Sequence, residues 1–577
     1  MKVNLNLKKS KYYLGIQFLL ISLTVLFLRL SLPDKKTEDR KTALSFSNQN
    51  ISIQWLEYEA EQGKTNGTII GPSRTYYTPE AEASGRRAVR LDATGKYVEI
   101  KSTKEANSIV IRYCIPDAQA GGGIKATLSL YINDKYVQNL NLTSKYAWIY
   151  GNFPWSNKPS DGKAHRFFDE SHAFIGNIKE GDKIRLQKDA ADTASYYIID
   201  LIDLEKIPAA LEMPENALSI TSYGATANDT TDDTKALIDC IKDAQSKNKI
   251  VWIPTGNFNM NTMAIPIKNI TIKGVGMWYS ILSGMFTRFQ GIGDSCKVSD
   301  LAMFGETDYR IDESPDNAFN GYFGKGSEIR NLWIEHVKCG FWIANYQNKT
   351  DITDGMVISG CRIRNTMADG VNYCRGTSNS IVEYSHLRNT GDDALATWSQ
   401  DSMACKNIIF RHNLIQLPWL ANCIALYGGI DHKIEYNTAA DAVYSGGGIN
   451  ISSNFKPAPF GGTISVIGNT LIRCGSECYI TPTIGAIWIF SKDSNIDAKL
   501  NIQDNNIYDA SFSGISIHGP LHLINASLLN NNIDGAGTKG IYIEGNANGS
   551  TVIKDNIIQN SNSENFRNDA GQNFILN

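Results

Sequence analysis

Short hydrophobic runs fill this chain, and their spacing changes near residue 209. Over residues 51–208 apolar and polar positions alternate, as in Ser108–Tyr113 and Ala126–Ile132, and turn residues such as Asn133 separate the runs. Several short strands of period two predict an antiparallel β-sandwich over this region. The alternation ends at about residue 208, and we therefore place a domain boundary there.

Residues 209–577 are predicted as the second domain, and beyond Pro266 it repeats a unit that pairs a short apolar run with an Asn or Gly turn. Most units begin roughly 23–31 residues apart, near Ile270, Val298, Ile329, Met356, Ser380, Asn407, His432, Thr463, Leu500, Leu523 and Val552. This period predicts the turns of a right-handed parallel β-helix. Asn recurs at one position of the unit, which predicts a ladder of side chains inside a turn. The fold class is therefore all-β.

A helix is predicted just before the repeats begin. Leu237, Ile238, Ile241 and Ala244 share one face, and Asp232 or Thr231 would be the N-cap. The series from Ser222 through this helix to Phe258 resembles the N-terminal cap of the pectate-lyase-like superfamily. There a helix closes the open end of a parallel β-helix, because an open end would expose both the core and a strand edge.

The first 50 residues are predicted to form an export signal and a tether rather than a folded domain. Residues 1–33 place four lysines before an apolar run, the arrangement of a secretory signal. A cleavage site is hard to find, so a cleaved signal peptide and an uncleaved signal anchor that tethers the chain to the membrane both remain open. Either one predicts export, to the medium or to the cell surface. Residues 34–50 are polar and form a tether.

Charge and cysteine usage exclude several classes of partner. The formal net charge is -3, and no basic stripe is present that would bind nucleic acid. A neutral polysaccharide needs no steering by charge and fits this balance. The ten cysteines form no CxxC motif, so a zinc or haem site is not expected. We expect no cofactor for catalysis, and we expect a monomer.

Two consecutive units align without a gap and bring three aspartates together. Residues 358–369 (ISGCRIRNTMAD) and 382–393 (VEYSHLRNTGDD) match with every position offset by 24. Equivalent positions on neighbouring turns lie roughly 4.8 Å apart, so Asp369 should stack on Asp393. Asp392 is adjacent, and Gly391 permits the bend that brings it to the same surface.

Crowded carboxylates raise at least one pKa, and acid/base hydrolysis of a glycosidic bond needs one protonated acid beside ionised bases. We therefore predict Asp369, Asp392 and Asp393 as catalytic residues. Five neighbours are predicted to contact substrate: Tyr373, Trp398 and Tyr427 as subsite walls, and Asn372 and Arg375 as hydroxyl donors. Two other interpretations stay open, a calcium cage and aspartates that only satisfy turn N–H groups.

An Asp on one turn followed by Asp-Asp on the next resembles the polygalacturonases of glycoside hydrolase family 28. It resembles more closely glycoside hydrolase family 87, the α-1,3-glucanases and mycodextranases, in which a β-sandwich precedes the β-helix. The polygalacturonases also carry Gly-His-Gly and Arg-x-Lys on later turns. This chain has Ala425–Gly429 where the first motif should fall and Asp431–Lys433 only near the second. The departure favours an α-glucan over a uronate substrate.

The resemblance to family 87 implies an inverting, endo-acting hydrolase of α-1,3-glucosidic bonds. Asp392 would protonate the departing oxygen, and Asp369 and Asp393 would activate the attacking water. A polygalacturonase-like hydrolase and a lyase or epimerase on the same fold remain alternatives, the latter with Arg364, Arg388 or Arg375 serving the uronate. A glycan-binding β-helix without activity is the alternative from another class.

The N-terminal region carries a second resemblance. The opening stretch Glu57–Glu61 and the closing stretch Tyr197–Glu205 resemble jelly-roll carbohydrate-binding modules of families 6 and 35. In those modules an opening Glu-Ala-Glu strand and an Asp near the last strand share a structural calcium ion. The resemblance implies calcium ligands at Glu59, Glu61 and Asp200, and calcium does favour several carboxylate oxygens. An acidic edge strand without a metal is the alternative.

Overall fold

The computed structural model describes residues 54–577 except Pro154 and Leu521. The predicted signal segment 1–33 and the tether 34–50 lie outside these described residues. No helix within the described part is long and apolar enough to cross a membrane. The α-helices are Pro79–Glu82 and Thr234–Lys247, and short 3-10 helices occur at Ala60–Gln62, Ser84–Arg86, Pro159–Asp161, Ile220–Tyr223, Gln400–Ser402 and Gly571–Asn573.

Two antiparallel sheets, here called the sheet pair, form the N-terminal part. The first runs in the order Asp169–Ile178, Ala106–Cys114, Tyr197–Glu205, Ala88–Leu91 and Thr68–Ile70, with Trp55–Glu59 also paired to Tyr197–Glu205. The second runs Lys64–Thr65, Tyr97–Lys101, Lys183–Gln187, Lys125–Ile132 and Lys135–Thr143. Alternate side chains of both sheets meet in one apolar core. The two-sheet arrangement agrees with the predicted alternation, while the jelly-roll connectivity stays a prediction.

The rest of the chain winds into a parallel β-helix, which confirms the fold predicted from the repeats. One wall is a 12-stranded parallel sheet, here called the outer sheet: Ile265–Ile267, Phe289–Ile292, Asn317–Tyr322, Cys339–Ile343, Val371–Cys374, Leu395–Trp398, Ile424–Tyr427, Ile449–Ser452, Ile487–Phe490, Ile515–His518, Ile541–Ile543 and Phe566–Asn568. Each turn adds one strand to this wall, and its inward side chains join the long apolar core of the β-helix.

A 24-stranded sheet forms the other walls of the β-helix, with most turns adding two strands on either side of a corner. Its strands are Ala217–Ser219, Ile250–Ile253, Gly256–Asn259, Ile270–Gly274, Ser280–Ser283, Cys296–Phe304, Glu328–Glu335, Val357–Ser359, Arg362–Arg364, Ile381–Glu383, His386–Arg388, Ile409–Arg411, Leu414–Gln416, Lys433–Glu435, Thr438–Ala440, Thr463–Ile467, Thr470–Ile472, Ile496–Gln503, Asn506–Tyr508, Leu523–Leu529, Asn532–Asp534, Asn548–Lys554, Ile557–Gln559 and Phe574–Leu576. Two short ladders complete the strands, Ile149–Tyr150 with Ala164–His165 and Gly429–Ile430 with Phe460–Gly461.

The predicted asparagine ladder lies at a corner of this larger sheet. Each amide nitrogen donates to the amide oxygen of the Asn on the next turn at 2.9–3.0 Å, through Asn413, Asn437, Asn469, Asn505, Asn531 and Asn556. Each also donates to a backbone carbonyl of the turn before, as Asn437 does to Phe410. The buried amides are thus satisfied, which a polar group in a core requires.

The helix Thr234–Lys247 covers the first turn, as predicted. Leu237, Cys240, Ile241 and Ala244 are buried in the same core as the first strands of the β-helix. The helix begins one residue later than expected, because Asp233 is its N-cap residue. It ends at Asn248, which takes the left-handed conformation common after a helix C-terminus.

The sheet pair packs on the β-helix through buried charges. Arg388 donates to Glu170 at 2.6 Å, to Asp203 at 2.6 Å and to Glu57 at 2.9 Å. Arg364, one turn earlier, pairs with Glu170 at 2.9 Å. Both arginines are fully buried. The alternative in which they would neutralise a uronate in an open cleft is therefore wrong, and their repeat in the sequence marks a docking surface.

Candidate active site

The 24-residue offset predicted from the sequence is the register of the structure. Ile358 pairs with Val382, Arg364 with Arg388, and Val371 with Leu395. Asp369 and Asp393 fall in the corner between the second and third of these pairs. The corner of one turn also bonds to that of the next, since Gly370 N donates to Asp393 O at 3.1 Å.

The three predicted aspartates form one cluster. Each of Asp369, Asp392 and Asp393 has a carboxylate oxygen within 4.8 Å of an oxygen of the other two. Asp369 and Asp393 are only 5% and 3% exposed, whereas the side chain of Asp392 is 28% exposed. The stacked pair is thus buried, and the offset neighbour faces solvent.

Burial and mutual repulsion raise the pKa of both stacked carboxyls. Burial raises the pKa of Asp369 well above its ordinary value, Asp392 and Asp393 raise it further, and a hydrogen bond from Asn372 at 3.1 Å opposes them. Burial and Asp392 raise the pKa of Asp393 to about 7, although hydrogen bonds from Asn422 lower it. These are the conditions under which neighbouring carboxyls take different protonation states.

Asn422 was missed by sequence analysis, although the repeat contains a signal for it. Leu395 pairs with Ile424, 29 positions on, so the residue equivalent to Asp393 on the third turn is Asn422. Its backbone N–H and its amide donate to Asp393 at 2.9 and 2.8 Å. The aligned turns were offset by 24, and the longer third turn hid the match.

Arg310 was also missed, and no repeat marks it. It lies in the segment between the strands Cys296–Phe304 and Asn317–Tyr322. Its Nη1 donates to Asp392 Oδ2 at 2.6 Å, and its Nε donates to Asp312 at 2.6 Å. Burial lowers the pKa of Arg310, but Asp392 and Asp312 raise it by more, above the ordinary value. The guanidinium therefore places a fixed positive charge beside the acidic cluster.

Gly391 lies in a bend and is required there because a side chain would not fit. It does not adopt a positive φ, but a Cβ there would stand 2.4 Å from Met367 O and 2.5 Å from Trp419 Cζ2. The predicted bend is present at Gly391 and Asp392, and the glycine is needed there for the space it leaves, without a positive φ. The chain passes so close to the previous turn and to Trp419 that only a residue without a side chain fits before Asp392.

Profile comparison assigns both parts of the chain. Residues 50–207 match the profile "Alpha-1,3-glucanase catalytic domain D1", and residues 229–561 match "Alpha-1,3-glucanase catalytic domain D2". The second match alone spans more than half of the chain. The chain belongs to the α-1,3-glucanase catalytic-domain family, glycoside hydrolase family 87. A search of curated proteins found no match.

Solved structures agree with this family 87 assignment. The catalytic unit of a thermostable GH87 α-1,3-glucanase from Streptomyces thermodiastaticus is 32% identical, with a TM-score of 0.81, covering 91% of this chain and 96% of that one. The Agl-KA catalytic domain is 28% identical, with a TM-score of 0.81, covering 92% and 97%. A GH87 α-1,3-glucanase catalytic domain in complex with nigerose shares the fold at 24% identity, with a TM-score of 0.79, covering 91% and 98%.

In this family 87 chain, two of the predicted substrate contacts do not reach the cluster. Tyr373 is fully buried in the core of the β-helix, stacked on Phe410 at 6.3 Å, because it falls on an inward position of its strand. The prediction that it forms a subsite wall is wrong. Arg375 is buried too, donating to Asn345 O at 2.9 Å and pairing with Asp401. These contacts hold neighbouring loop segments in place, and they use the guanidinium that was predicted to donate to a substrate hydroxyl.

The other three predicted contacts lie on the outward face of the outer sheet. Asn372 donates to Asp369, and the Tyr427 hydroxyl accepts at 3.5 Å from Asn422, which also donates to Asp393. Trp398 pairs in register with Tyr427 and is half-buried against it. Ala396 and Ala425 pair in register two positions earlier on the same strands, and they are buried in one apolar cluster with both rings.

The residues predicted to bind calcium do not fit that site. Asp200 accepts a hydrogen bond from Ser84 N at 3.0 Å and is paired with the buried guanidinium of Arg112. Glu59 accepts from Ser84 Oγ at 2.7 Å. Among the described residues these three carboxylates do not form a group whose oxygens all lie within 4.8 Å of one another, as those of Asp369, Asp392 and Asp393 do. The arginine supplies the positive charge that the prediction assigned to a metal.

Proposed function

We propose that this chain is an endo-acting glycoside hydrolase that cleaves α-1,3-glucosidic bonds in α-glucan. The observation that carries the proposal is the cluster of three carboxylates, one half-buried and two buried, with the pKa of Asp393 raised to about 7. Carboxyls that differ in proton affinity can serve as acid and base near neutral pH. Membership of the α-1,3-glucanase family supports the linkage.

We assign the water-activating role to Asp369 and Asp393. The two stand on neighbouring turns, so their oxygens can hold one water between them. Asn422 fixes the orientation of Asp393 through two hydrogen bonds. Asp392 is the more exposed carboxyl and faces the segment that carries Arg310, which suits it to meet the departing oxygen as general acid. Substrate must take the place of Arg310 at Asp392, since the guanidinium occupies the carboxyl oxygen Oδ2 that would otherwise be free to meet the departing oxygen.

Substitution of each aspartate by asparagine separates these roles. All three variants should lose hydrolysis of α-1,3-glucan by a factor of about 100 or more. An α-fluoride of an α-1,3-linked glucose oligosaccharide needs no acid, because fluoride leaves unprotonated. Asp392→Asn should keep its rate on the fluoride, whereas Asp369→Asn and Asp393→Asn should not. The exposed Asp555→Asn is the matched control. Loss on the fluoride confined to Asp392→Asn would reverse the assignment.

We propose that the reaction inverts the anomeric carbon. Inverting hydrolases usually hold acid and base roughly 6.5–9.5 Å apart, and retaining enzymes about 5–5.5 Å. The cluster's nearest oxygens lie within 4.8 Å of one another, which gives their closest approach and not the separation of the two carboxyl groups, so the anomer of the product is the test. Proton NMR of the first product should detect the β-anomer. An α-anomer would assign a nucleophile to the cluster.

A substrate panel tests the function against its alternatives. Reducing ends should appear from α-1,3-glucan or mixed α-1,3/1,4-glucan, and not from dextran or polygalacturonate. Activity on polygalacturonate alone would contradict the proposal. Absorbance of an unsaturated product at ultraviolet wavelengths would establish a lyase. Binding of glucan with no reducing ends from any polymer would establish a binding protein.

We further propose that the chain is exported and works as a monomer. The pattern of residues 1–33 supports export by a signal peptide or an anchor. Immunoblotting of medium and membrane fractions distinguishes the two. Light scattering of the purified protein tests the monomer, and a mass of two chains would contradict it.

A further inference from the structure

A loop of the sheet pair reaches the catalytic cluster. The short strands Ile149–Tyr150 and Ala164–His165 pair with each other and hold the loop between them. Within this loop Trp155 packs edge-to-face on Trp419 at 5.9 Å. Trp419 belongs to the β-helix and packs against Gly391. The loop therefore contacts a residue that packs next to Asp392, since Gly391 precedes Asp392 in the chain.

The same loop is fixed on its other side by the segment that carries Arg310. Asn157 donates to Asp308 at 3.0 Å. The guanidinium of Arg310 lies 6.0 Å from the ring centre of Phe153 and 5.9 Å from that of Trp155. Because Arg310 also donates to Asp392, one guanidinium lies near both rings and contacts that carboxylate.

The exposure of Phe153 points to a ligand in this corner. Its side chain is 45% exposed, while Trp155 is half-buried and braces it edge-to-face at 5.2 Å. A glucose unit has an apolar face that an aromatic ring can cover and hydroxyls that accept from a guanidinium. The partly exposed ring of Phe153, the cation and the carboxylate thus lie next to one another, a combination of groups suited to a neutral sugar.

We propose that Phe153, Trp155 and Arg310 form a binding subsite for a glucose unit on the leaving-group side of the scissile bond. The side follows from Asp392, the proposed acid, and the inference therefore rests on the proposed function. It gives the sheet pair a part in the active site. A separate carbohydrate-binding module would place its sugar contacts away from the cluster, whereas this loop places them beside it.

Phe153→Ala tests the subsite with little risk to folding, because the ring is largely exposed. On an α-1,3-linked oligosaccharide that fills both sides of the site, kcat/KM should fall roughly tenfold, the effect of uncovering about half of a Phe side chain. On the corresponding α-fluoride, which has no leaving sugar, kcat/KM should be unchanged. Trp155→Phe, which keeps a ring against Trp419, should give a smaller loss of the same kind.

The control is Tyr136→Ala, another exposed aromatic of the sheet pair, at 55%. This variant should have the kcat/KM of the wild type on both substrates. Equal kcat/KM for Phe153→Ala and wild type on the long oligosaccharide, with an active wild type, overturns the subsite and leaves the function standing. Equal losses on both substrates overturn it too, because they indicate a general disturbance of the site. A wild type inactive on all α-1,3-glucans overturns both proposals.

Discussion

Arg388→Met should destabilise the protein strongly by breaking the contact between the sheet pair and the β-helix. The guanidinium touches three carboxylates, those of Glu57, Glu170 and Asp203, at 2.6–2.9 Å. Without it the buried acids keep Arg364 as their nearest cation. Leaving one partner of a buried pair alone costs about 3–5 kcal/mol, and methionine fills most of the space, so the loss is one of charge.

The loss should depend on pH in a stated direction. Burial and Asp203 raise the pKa of Glu57 to about 7 against the opposing effect of Arg388. A carboxyl with a raised folded-state pKa stabilises the fold below its unfolded pKa and loses that contribution as pH rises through the folded value. Removing Arg388 raises this pKa of Glu57 further. The difference between variant and wild type should therefore be larger at pH 8 than at pH 5.

Urea unfolding followed by tryptophan fluorescence measures the effect at both pH values. Arg411→Met is the matched control, because Arg411 pairs with Glu383 at 2.7 Å while 42% exposed, and an exposed pair contributes about 0–1 kcal/mol. Adding Asp203→Asn to Arg388→Met should regain part of the loss. A loss at pH 8 no larger than that of the control, or one larger at pH 5, would refute the reasoning.

Four further outcomes follow from the site. Gly391→Ala should lower kcat about 100-fold, since the new Cβ would stand 2.4 Å from Met367 O and must shift Asp392; unchanged kinetics with native circular dichroism would contradict the steric argument. Hydrolysis should decline as pH falls below about 7, because Asp393, whose pKa burial raises to about 7, must be ionised to take a proton from water; an acid limb near the ordinary pKa of Asp would rule this out. Asn422→Ala removes the side-chain hydrogen bond that lowers the same pKa and keeps the one from the backbone N–H. It should move that limb upward, and a stationary limb would show that the Asn422 side chain does not tune it. Asp393→Asn should melt several degrees above wild type at pH 8, since the ionised carboxylate destabilises the fold once pH passes its raised pKa. Calorimetry measures both melting temperatures, and a lower value for the variant would contradict the prediction.

Sequence analysis located the carboxylates because neighbouring turns of a β-helix convert an offset along the chain into contact in space. Asp369 and Asp393 needed only the length of one turn, and the asparagine ladder needed only a recurring position. The same argument failed at Asn422, where a longer turn breaks the offset of 24 residues. It failed at Tyr373 for another reason. The corner before a strand decides which of its residues face inward, and a shift of one position exchanges inward and outward side chains.

The sequence by itself determined the elements whose partners are one turn away: the β-helix, its capping helix, the register of the two aligned turns and the clustered aspartates. Only the tertiary structure decided how Arg310 meets Asp392 and how the loop with Phe153 and Trp155 reaches the site. It also turned Arg364, Arg388 and Asp200 from candidate ligands into buried ion pairs. Those contacts join segments 82 or more residues apart, and no repeat encodes them. Those of Arg364, Arg388 and the loop with Phe153 and Trp155 depend on how the sheet pair docks on the β-helix, which is set by packing and charge over the whole surface at once. Those of Arg310 and Asp200 depend on how distant segments of one part of the chain pack together.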